Sequence, residues 1–154
     1  MEYLVRAARV TDIDRLVALG DTDRRMDRAA SPLVAADLLR QLVYLPNASL
    51  LVAEMRREIV GGGLLVLRPS VIAGGYVGTI DLLVVAPDHD PDRVTAAILE
   101  ELLRSASNKG CSTVEIAEPL EPADAARLTR AGFVPAGPTL RRPVGAARGA
   151  APRT

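Results

Sequence analysis

The residues best placed to do chemistry lie in one stretch, Ile80 to Arg93, which reads IDLLVVAPDHDPDR. An apolar strand carrying a single carboxylate, Asp81, runs into an acidic turn and then into a helix. A helix that starts where a strand ends points its first N–H groups at whatever precedes it, which makes a ready anion site. Here Asp90 and Pro91 alter that site. Aspartate is a good N-cap that accepts from N–H groups two and three residues on, and proline has no N–H to offer. Asp81 reads either as a functional carboxylate or as a strand-end carboxylate paired with an arginine. His89 is the sole histidine, and in an acidic loop its plain reading is a solvated ring. Cys111 is the sole cysteine, so no internal disulfide forms, and one Cys with one His makes no zinc site. It reads as a small buried residue at the start of a strand. Gly61, Gly62 and Gly63 precede no helix, so they read as a bulge or a tight packing site rather than a phosphate loop.

The chain that carries these residues has 154 of them, a length that fits one domain. Hydrophobic residues make up 49% and charged residues 25%. That globular balance excludes a disordered chain, a collagen and a coiled coil. Aromatics are 3%, too few for a base-stacking platform. The formal net charge of zero is unevenly spread. Residues 1–70 hold 10 basic and 9 acidic side chains, residues 71–140 hold 5 and 10, and residues 141–154 hold 4 arginines and no acid. No basic body for phosphate neutralisation exists, so nucleic acid is not an expected partner. No apolar run of about 18 residues exists, so no membrane-spanning helix is expected, and the lone cysteine fits a cytoplasmic protein.

The elements that must position the candidate residues can be read from periodicity. A short strand covers Tyr3 to Arg9. Thr11 reads as the N-cap of a helix whose face is Ile13, Leu16, Val17 and Gly20. Residues 21–30 read as a polar loop or frayed helix, with Arg24, Arg25 and Arg28 on a solvated face. Ser31-Pro32 opens a second helix. Strands follow over 49–55 and 59–67, joined by a short polar turn, and over 75–86, ended by Pro87. The longest helix covers 90–108, with Gly110 as its left-handed cap. A strand at 112–117, a helix at 122–131 and last strands at 133–134 and about 138–144 complete a domain over 1–144. Residues 145–154 read as a flexible Gly/Ala/Arg tail. The order predicts a mixed α/β (α+β) domain, a mostly antiparallel sheet flanked by helices.

Over residues 3–144 this order resembles the GNAT superfamily of N-acetyltransferases. The hairpin LLVAEMRREIVGGGLLVL is similar to the family's second and third strands. Leu82 to His89 resembles its fourth strand entering the diphosphate loop, and Arg130-Ala131-Gly132-Phe133 resembles the Gly-Phe after its last helix. The resemblance implies acetyl-CoA as cofactor, with Leu83 and Val85 lending backbone to the pantetheine arm as in strand addition. It places Arg93, Val94 and Thr95 at the diphosphate. It implies Asp81 as the general base and leaves Tyr76 or Tyr44 to replace a missing acid, since the family's tyrosine position here is Leu128.

The family's loop reads Arg/Gln-Gly-x-Gly-x-Gly/Ala. Here Asp90 stands for the Arg or Gln, and Pro91, Arg93 and Thr95 stand for the glycines. Asp88, Asp90 and Asp92 add carboxylates beside a polyanion site, each like-charge pair at ~5 Å costing on the order of 3 kcal/mol before screening. The leading expectation is acetyl transfer to an amine of a small molecule or peptide, with no metal and with a homodimer compatible with the fold. The competing expectation is a related module that has lost acetyl-CoA and binds another ligand or runs different chemistry.

Overall fold

A computed structural model describes residues 2–20, 31–117, 121–137 and 139–144. Five strands form one sheet in the order β1-β2-β3-β4-β5, where β1 is Leu4–Ala7, β2 Ala48–Met55, β3 Glu58–Ser70, β4 Gly75–Val85 and β5 Cys111–Ile116. The first four are antiparallel neighbours, and β5 joins β4 in parallel. A short 3-10 turn, Val10–Asp12, leads into α1 (Ile13–Gly20). The other helices are α2 (Pro32–Leu42), α3 (Pro91–Asn108) and α4 (Pro122–Arg130). The sheet is therefore mixed, mostly antiparallel and flanked by helices, as the element order predicts.

The three glycines of β3 explain how two helices reach the sheet. A Cβ on Gly62 would lie 2.3 Å from Leu16 Cδ2 of α1. One on Gly61 would lie 2.8 Å from the Val84 carbonyl oxygen and 2.9 Å from Val94 of α3, and one on Gly63 2.8 Å from Ile98 and Leu102. Successive strand residues face opposite sides, so α1 covers one face and α3 the other. The run is a packing site, and a bulge adjoins it: Ala53 pairs with Gly61 and Glu54 with Ile59, leaving Val60 as the extra residue. The core runs through both layers, with Ile13, Leu16, Val52, Val60, Leu65, Ile80, Val94, Ile98 and Leu102 at or near full burial. Ser49 Oγ and Ser105 Oγ, 2.7 Å apart, tie α3 to β2.

Three expectations need correction. Thr11 is not the first cap. Asp12 holds that turn, its carboxylate accepting from the Arg9 N–H at 2.8 Å. Residues 133–137 and 139–144 form no strand. Pro135, Pro138 and Pro143 remove ladder donors there, and Gly137 adopts a φ of 93°, outside extended backbone. β3 extends to Ser70, three residues beyond the expected end. Residues 21–30, including Arg24, Arg25 and Arg28, and the tail at 145–154 lie outside the described residues, as does residue 138.

Candidate functional site

β4 and β5 pair from Tyr76 with Cys111 to Ile80 with Ile116, and the pairing ends there. β4 continues to Val85, bonded on its other side to β3. Among the described residues no strand covers the second edge of Leu82–Val85. The phase of the ladder decides which groups face that edge. The Ala86 N–H donates to the Val60 carbonyl at 2.8 Å. In an antiparallel pair, facing residues alternate between exchanging both bonds and exchanging none. Ala86, Val84 and Leu82 therefore bond to β3, and Leu83 and Val85 turn their N–H and C=O groups to the open edge.

Asp81 sits where the two strands part. Leu64 pairs with Leu82 and Leu65 with Ile80, so Asp81 is the extra residue of a β-bulge. A bulge locally disrupts its ladder; here β3 and β4 resume pairing at Leu64 with Leu82, while the β4–β5 pairing has ended at Ile80, one residue before Asp81. Asp81 is exposed and has no hydrogen-bond or ion-pair partner among the described residues. The arginine-paired alternative is therefore not what these residues form. Burial alternates along the strand, with Leu82, Val84 and Ala86 buried and Leu83 and Val85 half-buried. Tyr76 lies at the other end of β4, paired with Pro69. Five residues of strand put it roughly 17 Å from Asp81, so the structure does not bring the two together. Tyr44 follows α2 and is largely exposed.

The first turn of α3 is already capped. Asp90 Oδ1 accepts from the N–H groups of Asp92 (3.0 Å) and Arg93 (3.5 Å), and its carbonyl accepts from Val94 (3.1 Å). Pro91 occupies the first helical position and contributes no N–H. Within the first turn of α3, residues 91 to 94, each amide is thus absent or engaged by Asp90. The side chains of Val94 and Thr95 are buried, and only Arg93 of the three expected loop residues is exposed.

Groups that the sequence reading missed surround this turn. Tyr3, just before β1, brings its hydroxyl to 3.4 Å from His89 Nδ1. Its ring lies edge-on to the imidazole, with 6.0 Å between ring centroids. The Arg93 guanidinium stands 5.5 Å from the centre of the Tyr3 ring, within cation–π range. His89 is therefore a half-buried, partnered ring rather than a solvated one. Arg127 Nε (2.7 Å) and Arg130 (3.1 Å), both on α4, donate to the same oxygen of Asp92. Spacing of three on one helix face was the available signal for that pair. Elsewhere, Cys111 is half-buried rather than buried, and desolvation raises the pKa of its thiol, the opposite of what a thiolate nucleophile needs.

A family model described as the acetyltransferase (GNAT) family matches residues 4–133. The chain belongs to the GNAT acetyltransferase family. Among solved structures, a transcriptional regulator from Bacillus halodurans superposes with a TM-score of 0.79 at 19% identity, covering 93% of this chain and 100% of that one. A probable acetyltransferase gives 0.79 at 13% identity, covering 92% and 98%. A ribosomal-protein-alanine N-acetyltransferase from Brucella melitensis gives 0.71 at 18%, covering 93% and 99%. At these identities the neighbours show a shared fold. No curated protein matches the chain in sequence. GNAT members generally use acetyl-CoA as co-substrate, and the two halves of this GNAT site fit it unequally. The open edge at Leu83 and Val85 suits an amide-bearing arm, while the α3 first turn offers no amide to phosphate.

Proposed function

We propose that this protein is an acetyl-CoA-dependent N-acetyltransferase acting on an amine of a small molecule or peptide, with a weakly held donor. The open edge of β4 beside an unpartnered Asp81 carries this reading. Acetyl-CoA would supply the acetyl group as a thioester. The backbone groups of Leu83 and Val85 would hold its pantetheine amides by strand addition, and a strand N–H would polarise the thioester carbonyl. Asp81 would take the proton that the attacking amine loses, directly or through one water. As the C–N bond forms the thioester C–S bond would break, and coenzyme A would leave as a thiolate that takes its proton from solvent. The exposure of Asp81 suits a group that must exchange its proton with solvent. Two related folds support the acceptor class: an aminoglycoside acetyltransferase from a soil metagenome and a glucosamine-6-phosphate N-acetyltransferase from Arabidopsis thaliana. Incubation of the protein with acetyl-CoA and a panel of amines, read by mass spectrometry, tests the reading. Acetylated product on at least one amine, above the uncatalysed level, is the expected result.

A second reading rests on the capped helix. With Asp90 holding the first-turn amides, the chain would be a GNAT-type module that no longer binds acetyl-CoA. Absence of both product and acetyl-CoA binding would favour it.

A further inference from the structure

The arrangement of Arg127, Arg130 and Asp92 is that of an anion clamp with an internal occupant. Two guanidinium groups from successive turns of α4 converge on one carboxylate oxygen at the start of α3. Like charges so placed repel unless an anion sits between them, and the anion here is Asp92. The two sides of the contact are unequally fixed. Arg127 is held: its side chain is 18% exposed and its second nitrogen bonds Asp124 at 2.8 Å. Asp92 is not, with its side chain 61% exposed. Solvent-exposed ion pairs of this kind contribute little, and Asp92 can rotate into water without unfolding the turn that Asp90 caps.

We infer that Arg127 and Arg130 form a binding site for a phosphate or diphosphate group, which Asp92 fills when no ligand is present. A phosphate carries more charge than a carboxylate and more acceptor oxygens, and planar guanidinium groups bind it in bidentate geometry. Asp92 meets both arginines with a single oxygen, so a phosphate group satisfies them better. The clamp adjoins the turn whose amides Asp90 has taken, and it moves anion recognition from backbone to side chains. Assigning the donor's diphosphate as the natural ligand rests on the acetyl-CoA reading. The clamp itself does not, because a phosphorylated acceptor carries the same chemistry.

Calorimetric titration of the full chain with inorganic pyrophosphate tests the clamp directly. Asp92→Asn is expected to tighten pyrophosphate binding about tenfold, with the gain lost near roughly 0.5 M salt. Adding Arg130→Gln to Asp92→Asn is expected to abolish the gain, and Arg127→Gln to do the same. Arg130 is 63% exposed, so its variant keeps the fold should the Arg127 variant lose it. Unchanged pyrophosphate affinity in Asp92→Asn, or a gain that survives Arg130→Gln, overturns the inference. Two further ligands separate the sources. If Asp92→Asn tightens acetyl-CoA but not S-acetyl-pantetheine, the clamp holds the donor's diphosphate. If pyrophosphate tightens and acetyl-CoA does not, the clamp stands and its assignment to the donor fails.

Discussion

Asp12 and Asp81 are two carboxylates with opposite environments, and their residue-scale consequences differ accordingly. Asp12 is buried and held by Arg6 at 2.8 Å and by the Arg9 N–H, while Arg6 also reaches Glu54 at 3.2 Å. The hydrogen bond from Arg6, the backbone bond from Arg9 and their charges outweigh burial and hold the Asp12 pKa below its ordinary value. A folded pKa below the unfolded one contributes stability that is present above the unfolded value, about 3.9, and lost as pH falls through the folded one. Asp12→Ala is expected to destabilise by about 3 kcal/mol at pH 7, because it leaves Arg6 without its buried partner. Denaturant unfolding should show that difference shrinking below about pH 4, as the unfolded chain takes up a proton first, and levelling off once the folded carboxyl is protonated as well. A constant difference down to about pH 2 would place the contribution in packing. Asp81 is exposed, so its substitution takes little from the fold, and its effect is read in turnover. Asp81→Asn is expected to lower turnover ~10²-fold or more with acetyl-CoA affinity nearly unchanged, as for a general base. Surviving turnover would remove Asp81 from the mechanism.

At the scale of elements, the start of α3 is where the proposed donor diphosphate would meet the chain. Asp90→Arg with Pro91→Gly returns one N–H, removes a carboxylate and adds a cation. The pair is expected to strengthen acetyl-CoA binding by roughly 2 kcal/mol or more, part of it lost at high salt. It should also lower folding stability by about 1 kcal/mol, since a cap and a preorganised proline are gone. Titration and thermal unfolding of one variant read both signs, and a variant that neither binds better nor unfolds earlier would remove Asp90 from this account. The Asp90 cap was legible in the sequence because capping is local: Asp-Pro at a strand-to-helix junction names its own acceptor. The helix periods, the β2–β3 hairpin and the glycine packing site were legible for the same reason. The bulge at Asp81 was not, because it exists only in the register of β3 against β4. Nor were the contacts of Tyr3 with His89, separated by 86 residues, or of Arg127 with Asp92, separated by 35. The last strands were misread because Phe133-Val134 and Leu140 are apolar while the prolines among them forbid a regular ladder.

Over the whole molecule, the fold leaves one edge of β4 open at Leu83 and Val85 and caps the neighbouring helix start with the Asp90 carboxylate. Gly61 and Gly63 bring α3 tight against β3, so the capped turn stands directly beyond the end of β4. Around that turn Asp90 caps the helix, Arg127 holds Asp92 and Asp124, and Arg130 reaches Asp92. A polyanionic donor must therefore displace internal ion pairs to bind. The family fixes the architecture, and on the proposed function these residues would set how strongly the donor is held.

Calorimetric titration of the purified protein with acetyl-CoA at low and high salt tests that claim most directly. The expected dissociation constant lies above about 100 μM, weaker than roughly −5.5 kcal/mol, and weakens further as salt screens the arginines. A low-micromolar constant indifferent to salt would contradict it.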